Sequence, residues 1–396
     1  MANTLGALNP IFYAEEGLKI LMSMYGMIPR VNHSFADERE RFNKGEYTYI
    51  AKPGTFITQA GGTGTIDEIE SETVAIQLSN YREVKFAVTD KEYSFSGPQL
   101  IQKHIAPAAY ALGKYVNTQL SALHKDIPWF SPWTSTIVSS DVTAGMKVLK
   151  DAGGNIADDI QNIHMGIDTT VDAALQGLSD FNAANIAGNT NIALVDGKNP
   201  GRFGVGDFFV DQTFSSFTSG TVVSAATDLL GALAADADWG DTTVNIGSLD
   251  GTETIAKGDT FVIAGSSQRY ACTAPTTLSG GANATVPISP PIQSGTISSG
   301  AVVTFETKAT AYADAYEPNI LFHRDAFALV MGALPDANLG QLGVDVWTAV
   351  DPVSGLSVRA RRTYGDALAQ QVITMDILFG VKTINPNYAV VMRRNS

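Results

Sequence analysis

A single cysteine, Cys272, stands in 396 residues, so the chain can form no disulfide within itself. That excludes a small secreted scaffold stapled by cystines and fits a reducing cytoplasm. Charge is scarce too: Asp, Glu, Lys and Arg make up 17% of the chain, against about a quarter in an average soluble protein. The deficit points to surface built from Ser, Thr, Asn and Gly, or to surface covered by neighbours. Basic residues are the scarcer kind, 26 against 40 acidic ones, for a net charge of -14. A protein that grips nucleic-acid phosphates needs a clustered basic face. Here there is only the small group Arg359, Arg361, Arg362, Arg393 and Arg394. Long apolar runs are also missing. The stretch from Pro10 to Met27 is broken by Glu15, Glu16 and Lys19, too short and too charged to span a bilayer. No basic residue precedes Lys19, so no positively charged leader region is expected.

The motifs of catalysis and cofactor binding are absent in the same way. The glycines Gly61, Gly62 and Gly64 lack the Lys-Ser/Thr that a phosphate loop requires and read as a hairpin tip. Gly201, Gly204 and Gly206 precede a strand instead of opening a helix, the wrong order for a dinucleotide fingerprint. His33, His104, His124, His164 and His323 show no paired metal spacing, and Cys272 has no second thiol. Asp158 and Asp159 read as a solvated acidic loop before they read as a cation site. No Gly-x-Ser-x-Gly elbow occurs. The expectation is a protein without catalytic, cofactor or metal residues, although a catalytic set assembled only in space leaves no such mark.

What is present is pattern. Pro10 opens a short amphipathic helix with Ile11, Leu18, Leu21, Met22 and Tyr25 on one face, ended by Gly26 and Pro29. Residues 46–88 read as one long hairpin. Tyr47 to Ile57 runs out, and Val74, Ile76, Leu78, Val84, Phe86 and Val88 make the returning run. Such a ribbon is marginal alone in water and expects a partner surface. Ser96, Pro98 and Gln99 form a capping signal before a long helix carrying Ile101, Ile105, Ala108, Leu112, Val116, Leu120 and Leu123, with Pro107 as a kink or break. Helices are expected near residues 144–152 and 169–178, the second capped by Asp168. Between Thr218 and Thr307 Gly, Ser, Thr and Ala dominate around five short β runs, Thr243 to Ile246, Asp259 to Ile263, Gln268 to Thr273, Thr285 to Ile288 and Ala301 to Phe305, which suggests a small barrel or sandwich. Residues 319–330 read as a strand into a helix. The end reads as a three-stranded meander: residues 356–364 alternate, 371–381 are more apolar, and Tyr388 to Met392 follows the turn at Asn385 and Pro386.

Two phrases in that end, Thr374–Val381 (TMDILFGV) and Asn385–Met392 (NPNYAVVM), resemble the terminal strands of tailed-bacteriophage major capsid proteins. Lys257–Gly265 (KGDTFVIAG) resembles the inserted β domain of one branch of that family. The resemblance covers most of the chain by order of elements and is weakest over residues 131–199. It implies a mixed α+β fold, the tailed-phage major capsid fold with an inserted small β-barrel-like domain. The implied parts are an N-terminal arm at 1–45 and an extended hairpin loop at 46–90. A spine helix with part of the peripheral domain takes 91–140. The axial domain takes 141–217 and 309–350, the insert 218–308, and the peripheral C-terminal sheet 351–396. The implied partners are further copies of the chain in hexamers and pentamers, a scaffolding protein, a portal, and double-stranded DNA packaged without sequence-specific binding. Decoration proteins and covalent cross-linking belong to some members only. The implied location is the virion, assembled in the host cytoplasm, with no membrane and no cofactor. On the projecting loop, Asp67, Glu68, Glu70 and Glu72 are expected to face Arg39, Arg41 and Lys44 of a neighbour's arm, each exposed pair contributing about 0–1 kcal/mol. A tail-tube or surface-layer subunit is the alternative structural reading, and a hydrolase with scattered acids a third.

Overall fold

A computed structural model describes residues 10–23, 26–33, 46–51, 73–91, 98–134, 136–153, 156, 159–182, 203–214, 216–222, 230–247, 253–278, 282–293, 295–306, 315–335, 344–351, 356–365 and 369–395. Helix α1 (Pro10–Ser23) is followed by β1 (Tyr47–Ala51), β2 (Thr73–Gln77), β3 (Asn80–Thr89) and the long α2 (Pro98–Ser121). Then come β4 (Phe130–Thr134), α3 (Ser139–Gly153), β5 (Ile163–Ile167), α4 (Thr169–Gln176), α5 (Ser179–Asn182) and β6 (Asp207–Val210). After β7 (Phe217–Thr218), the insert supplies β8 (Leu230–Leu233), β9 (Thr243–Gly247), β10 (Glu253–Ile255) and β11 (Thr260–Ile263). It continues with β12 (Arg269–Cys272), β13 (Thr276–Leu278), β14 (Ala284–Ser289) and β15 (Val302–Phe305). The chain closes with β16 (Ala315–Tyr316), β17 (Asn319–His323), β18 (Phe327–Met331), β19 (Val344–Val350), β20 (Ser357–Gly365), β21 (Gln370–Thr383) and β22 (Ala389–Asn395). It divides into two compact units. The first holds Met1–Met24, Asn32–Val116 and Ala328–Ile384; the second holds the rest.

In the first unit, β18, β21, β20 and β19 form a sheet in that order, and β3 pairs antiparallel with β21 from Asn80–Phe379 to Thr89–Gln370. α1 packs on β19 and β20 and buries Tyr13, Ala14, Leu18 and Leu21. Gly17 leaves room on the buried side of α1 for the Met375 methyl of β21. α2 buries Ile105, Ala108, Leu112 and Val116 at helical spacing. It runs through Pro107 without ending, since one missing N–H removes a single rung from a helix held by its packed face. β1 and β2 form a two-stranded ribbon whose inner residues Ile50 and Ile76 join Leu78, Ala328 and Val330 in one apolar cluster.

In the second unit, β4, β22, β17, β5 and β6 form a mixed sheet. α3 and α4 cover it through Val142, Met146, Leu149, Val171 and Leu175, which meet Ile163, Met165, Leu321, Val390 and Met392. The Asp168 carboxylate caps α4 by accepting from Val171 N at 2.7 Å. The insert closes into a six-stranded barrel, β11-β12-β14-β9-β8-β15, with Phe261, Phe305, Val244, Ile246, Val286 and Val303 buried. All five β runs expected there are strands of this barrel; β8 completes it.

Three sequence expectations are corrected. The terminal meander is not one: β22 pairs with β17 and β4, not with β21. A short 3-10 turn, Pro386–Tyr388, separates them, and Ala389 to Met392 are buried on both faces as a central strand requires. The returning run of the hairpin is two strands, because β2 pairs with β1 while β3 leaves the ribbon for β21. Residues 327–331 are a strand and not a helix. All five are buried in the first unit's sheet or at its border, and tertiary burial overrides a short apolar run that suits either state.

Candidate functional site

The ribbon β1–β2 exposes a pair of neighbouring aromatic side chains. Its alternation puts Thr48 and Ile50 inside and Tyr47 and Tyr49 outside. The two outer tyrosines stack with ring centroids 6.4 Å apart and remain 46% and 60% exposed. Across the ribbon they face only Gln77 and Ala75. β1 has no second strand partner among the described residues. An aromatic pair this exposed, on a strand with one partner among the described residues, is a surface suited to contact with another chain.

A largely buried ion network lies in the adjoining sheet, on β3, β20 and β21. Asp376 on β21 lies directly opposite Glu83 on β3 and Arg359 on β20. It is fully buried and accepts from Arg359 Nε at 3.0 Å and Nη2 at 2.7 Å. The Tyr81 hydroxyl donates to it at 2.7 Å, and Arg361 Nη2 lies at 3.0 Å. Arg361 also reaches Glu83 at 2.9 Å and so bridges two like charges that face each other across the strands. Burial first, and then Asp376, push the Tyr81 hydroxyl above its ordinary range; the hydrogen bond to Asp376 raises Arg359. Arg82 stacks on Tyr115 at 4.5 Å, and Tyr115 meets Phe379 edge-on, which ties β3 and β21 to α2.

The basic group noticed in the sequence is divided between the two units, and four of its five members have partners of their own. Arg359 and Arg361 serve this network, and Arg362 pairs with Asp345 at 2.5 Å. Arg393 is buried in the second unit, 4.8 Å from the Phe130 ring and 5.1 Å from that of Tyr316. The seven residues expected at subunit contacts, Arg39, Arg41, Lys44, Asp67, Glu68, Glu70 and Glu72, lie outside the described residues, as do Gly61 to Gly64 and Asp158. Asp159 is engaged: Asn162 donates to it, and His323 Nε2 stands 3.1 Å away, contacts that lower its carboxyl below the usual range. Among the described residues no group of three or more His, Cys, Asp or Glu could hold a metal ion. No described helix is long and apolar enough to cross a membrane.

No protein-family model matches the chain, and no curated protein matches it. Solved structures do. The structure of Mycobacterium phage Che8 shares 12% identity with it over 93% of this chain and 91% of its own, at a TM-score of 0.46. The capsid structure of the cyanophage P-SCSP1u shares 10% over 90% and 85%, also at 0.46. A virus-like particle from Pyrococcus furiosus shares 9% over 99% and 100%, at 0.41.

The second unit holds a polar cluster that sequence reading missed. Asp259, inside the insert's KGDTFVIAG phrase, is fully buried. Its Oδ2 accepts from Ala256 N at 2.7 Å and Gly220 N at 3.0 Å. The charge of Arg393, which is 134 residues further along the chain, acts on it. The Lys257–Gly258–Asp259 string signals a turn, but nothing local marks its aspartate as buried. For the exposed pair the signal was legible: tyrosines at alternate positions beside an inward Ile50.

Proposed function

We propose that the chain is the major capsid protein of a tailed bacteriophage, self-assembling into an icosahedral shell around double-stranded DNA. The observation that carries this reading is the ribbon with its stacked, solvent-facing Tyr47 and Tyr49, seated by its inner face on the apolar cluster of Ile50, Ile76, Leu78, Ala328 and Val330. An exposed aromatic pair on a ribbon anchored by its inner face suits repeated contact with neighbouring copies. The order of elements is consistent with it: a ribbon, a long helix, and a closed β-barrel inserted between β7 and β16. In this reading the acidic residues Asp67, Glu68, Glu70 and Glu72 meet Arg39, Arg41 and Lys44 of an adjacent copy. Each contact is weak, and many copies set register and orientation. Hexamers and pentamers, a scaffolding protein and a portal belong to the same proposal, with the virion as the location. No catalytic role is assigned.

Electron microscopy of the purified chain over a concentration series, with and without a scaffolding partner, tests it. Curved or closed shells above a threshold concentration are expected. Their loss in Tyr47→Ser/Tyr49→Ser, with circular dichroism unchanged, would assign the contact to the ribbon. Straight tubes or flat sheets would favour a tail-tube or surface-layer subunit. A monomer at every concentration would overturn the assembly reading.

A further inference from the structure

The insert's root is built around Asp259. The segment leading into the barrel lies along β10, where Val222 N donates to Thr254 O and Thr221 N to Thr254 Oγ1. Gly220 sits so close that a Cβ would strike Thr254 O, and it would also lie 2.7 Å from Ala256 N and 2.8 Å from the Asp259 carboxylate. Asp259 Oδ2 thus ties two segments, through Gly220 and Ala256, while its own carbonyl accepts from Cys272 N at 2.9 Å. Its second oxygen, Oδ1, is buried and has no hydrogen-bond partner among the described residues.

The groups around the root come from several elements. β22 supplies Arg393, β16 supplies Tyr316, and β12 supplies Cys272. The turn before β11 supplies Lys257, which pairs with Asp126 at 2.8 Å. The 3-10 segment Ala122–Asp126 also brings His124 against Phe217 and Lys125 against Gly258. We propose that this cluster makes the barrel root a proton-linked joint, closed most firmly when the Asp259 carboxyl is neutral and loosened when it ionises.

The balance of forces gives the direction. Burial strips water from the carboxylate; two N–H donors and Arg393 offset that only in part, and the carboxyl is raised to about 6. When the root opens, water reaches the group and its pKa falls toward the ordinary value of 3.8. Closure therefore takes up a proton between those two values. The closed root is favoured fully below 3.8, and the advantage is lost as pH rises through about 6. Two pH units correspond to about 100-fold in the opening equilibrium, of which about tenfold falls between pH 5 and 8. His124, held neutral by burial with a pKa lowered to about 3, pulls the other way if opening wets it.

Hydrogen exchange by mass spectrometry on the full chain, read at Gly220 and Ala256 from pH 5 to 8, separates the two. The opening constant of the wild type divided by that of Asp259→Asn cancels the His124 contribution, because both proteins carry it. That ratio is expected to rise about tenfold between pH 5 and 8. A flat ratio overturns the proposal. If Asp259→Asn does not fold, carbon-13 carboxyl titration of the wild type decides: a midpoint near 6 supports the joint, and one near 4 overturns it.

Discussion

Asp376 offers the sharpest test of how β3, β20 and β21 are held together. Asp376→Asn keeps the shape of the side chain and removes its charge. Arg359, with a side chain only 14% exposed, then loses the carboxylate that receives two of its N–H groups. Breaking a buried ion pair from one side costs about 3–5 kcal/mol, because the surviving charge is stranded in a poor solvent. At about 1.4 kcal/mol per factor of ten, that is a rise in opening of roughly 100-fold to 4,000-fold wherever exchange proceeds through separation of these strands. Hydrogen exchange of the paired amides in β3 and β21, Arg82 to Val88 against Gln371 to Ile377, reads it directly. The double replacement Arg359→Met/Asp376→Leu removes both charges. Tyr81 and Arg361, 44% and 28% exposed, then turn to water. It should recover most of the loss, since two packed apolar side chains need no partner. Changing the outer pair, Arg362→Gln, should move stability by no more than about 1 kcal/mol, because both members reach solvent. An Asp376→Asn protein within about 1 kcal/mol of wild type, or a double variant no better than the single, would refute the assignment of a buried, mutually dependent pair.

Two further outcomes follow from the second unit. Asp168→Ala removes the side-chain acceptor at the start of α4 and should cost about 1 kcal/mol in denaturant unfolding, with Asp168→Asn close to neutral; equal losses from both would argue against the cap. Cys272 is fully buried, and burial followed by the nearby Asp259 raises its thiol well above the ordinary range. A small thiol reagent should therefore react only as fast as the barrel opens, and labelling at free-thiol speed in native buffer would refute that.

Much of the local structure was legible in the sequence, because periodicity reports which side of an element is buried. Leu112, Val116 and Leu120 recur at helical spacing and α2 follows; Asp168 stands where an N-cap is needed; five short β runs between Gly- and Ser-rich turns became barrel strands. The run from Tyr47 to Ile57 reads as one strand and does not single out the exposed pair, although Tyr47, Thr48, Tyr49 and Ile50 alternate between its faces. Partner choice was not legible. An apolar run such as Ala389 to Met392 states that a strand is buried and leaves open which sheet buries it, so only the tertiary structure placed β22 between β4 and β17. The same holds for β3, whose alternation fits a return along β1 as well as its actual pairing with β21. The meeting of Asp259 with Arg393, and of Asp376 with Arg359, Arg361 and Tyr81, is likewise a product of the fold. A charged residue's burial and partners depend on chain segments distant in sequence, while local periodicity carries only the outline of the element on which it sits.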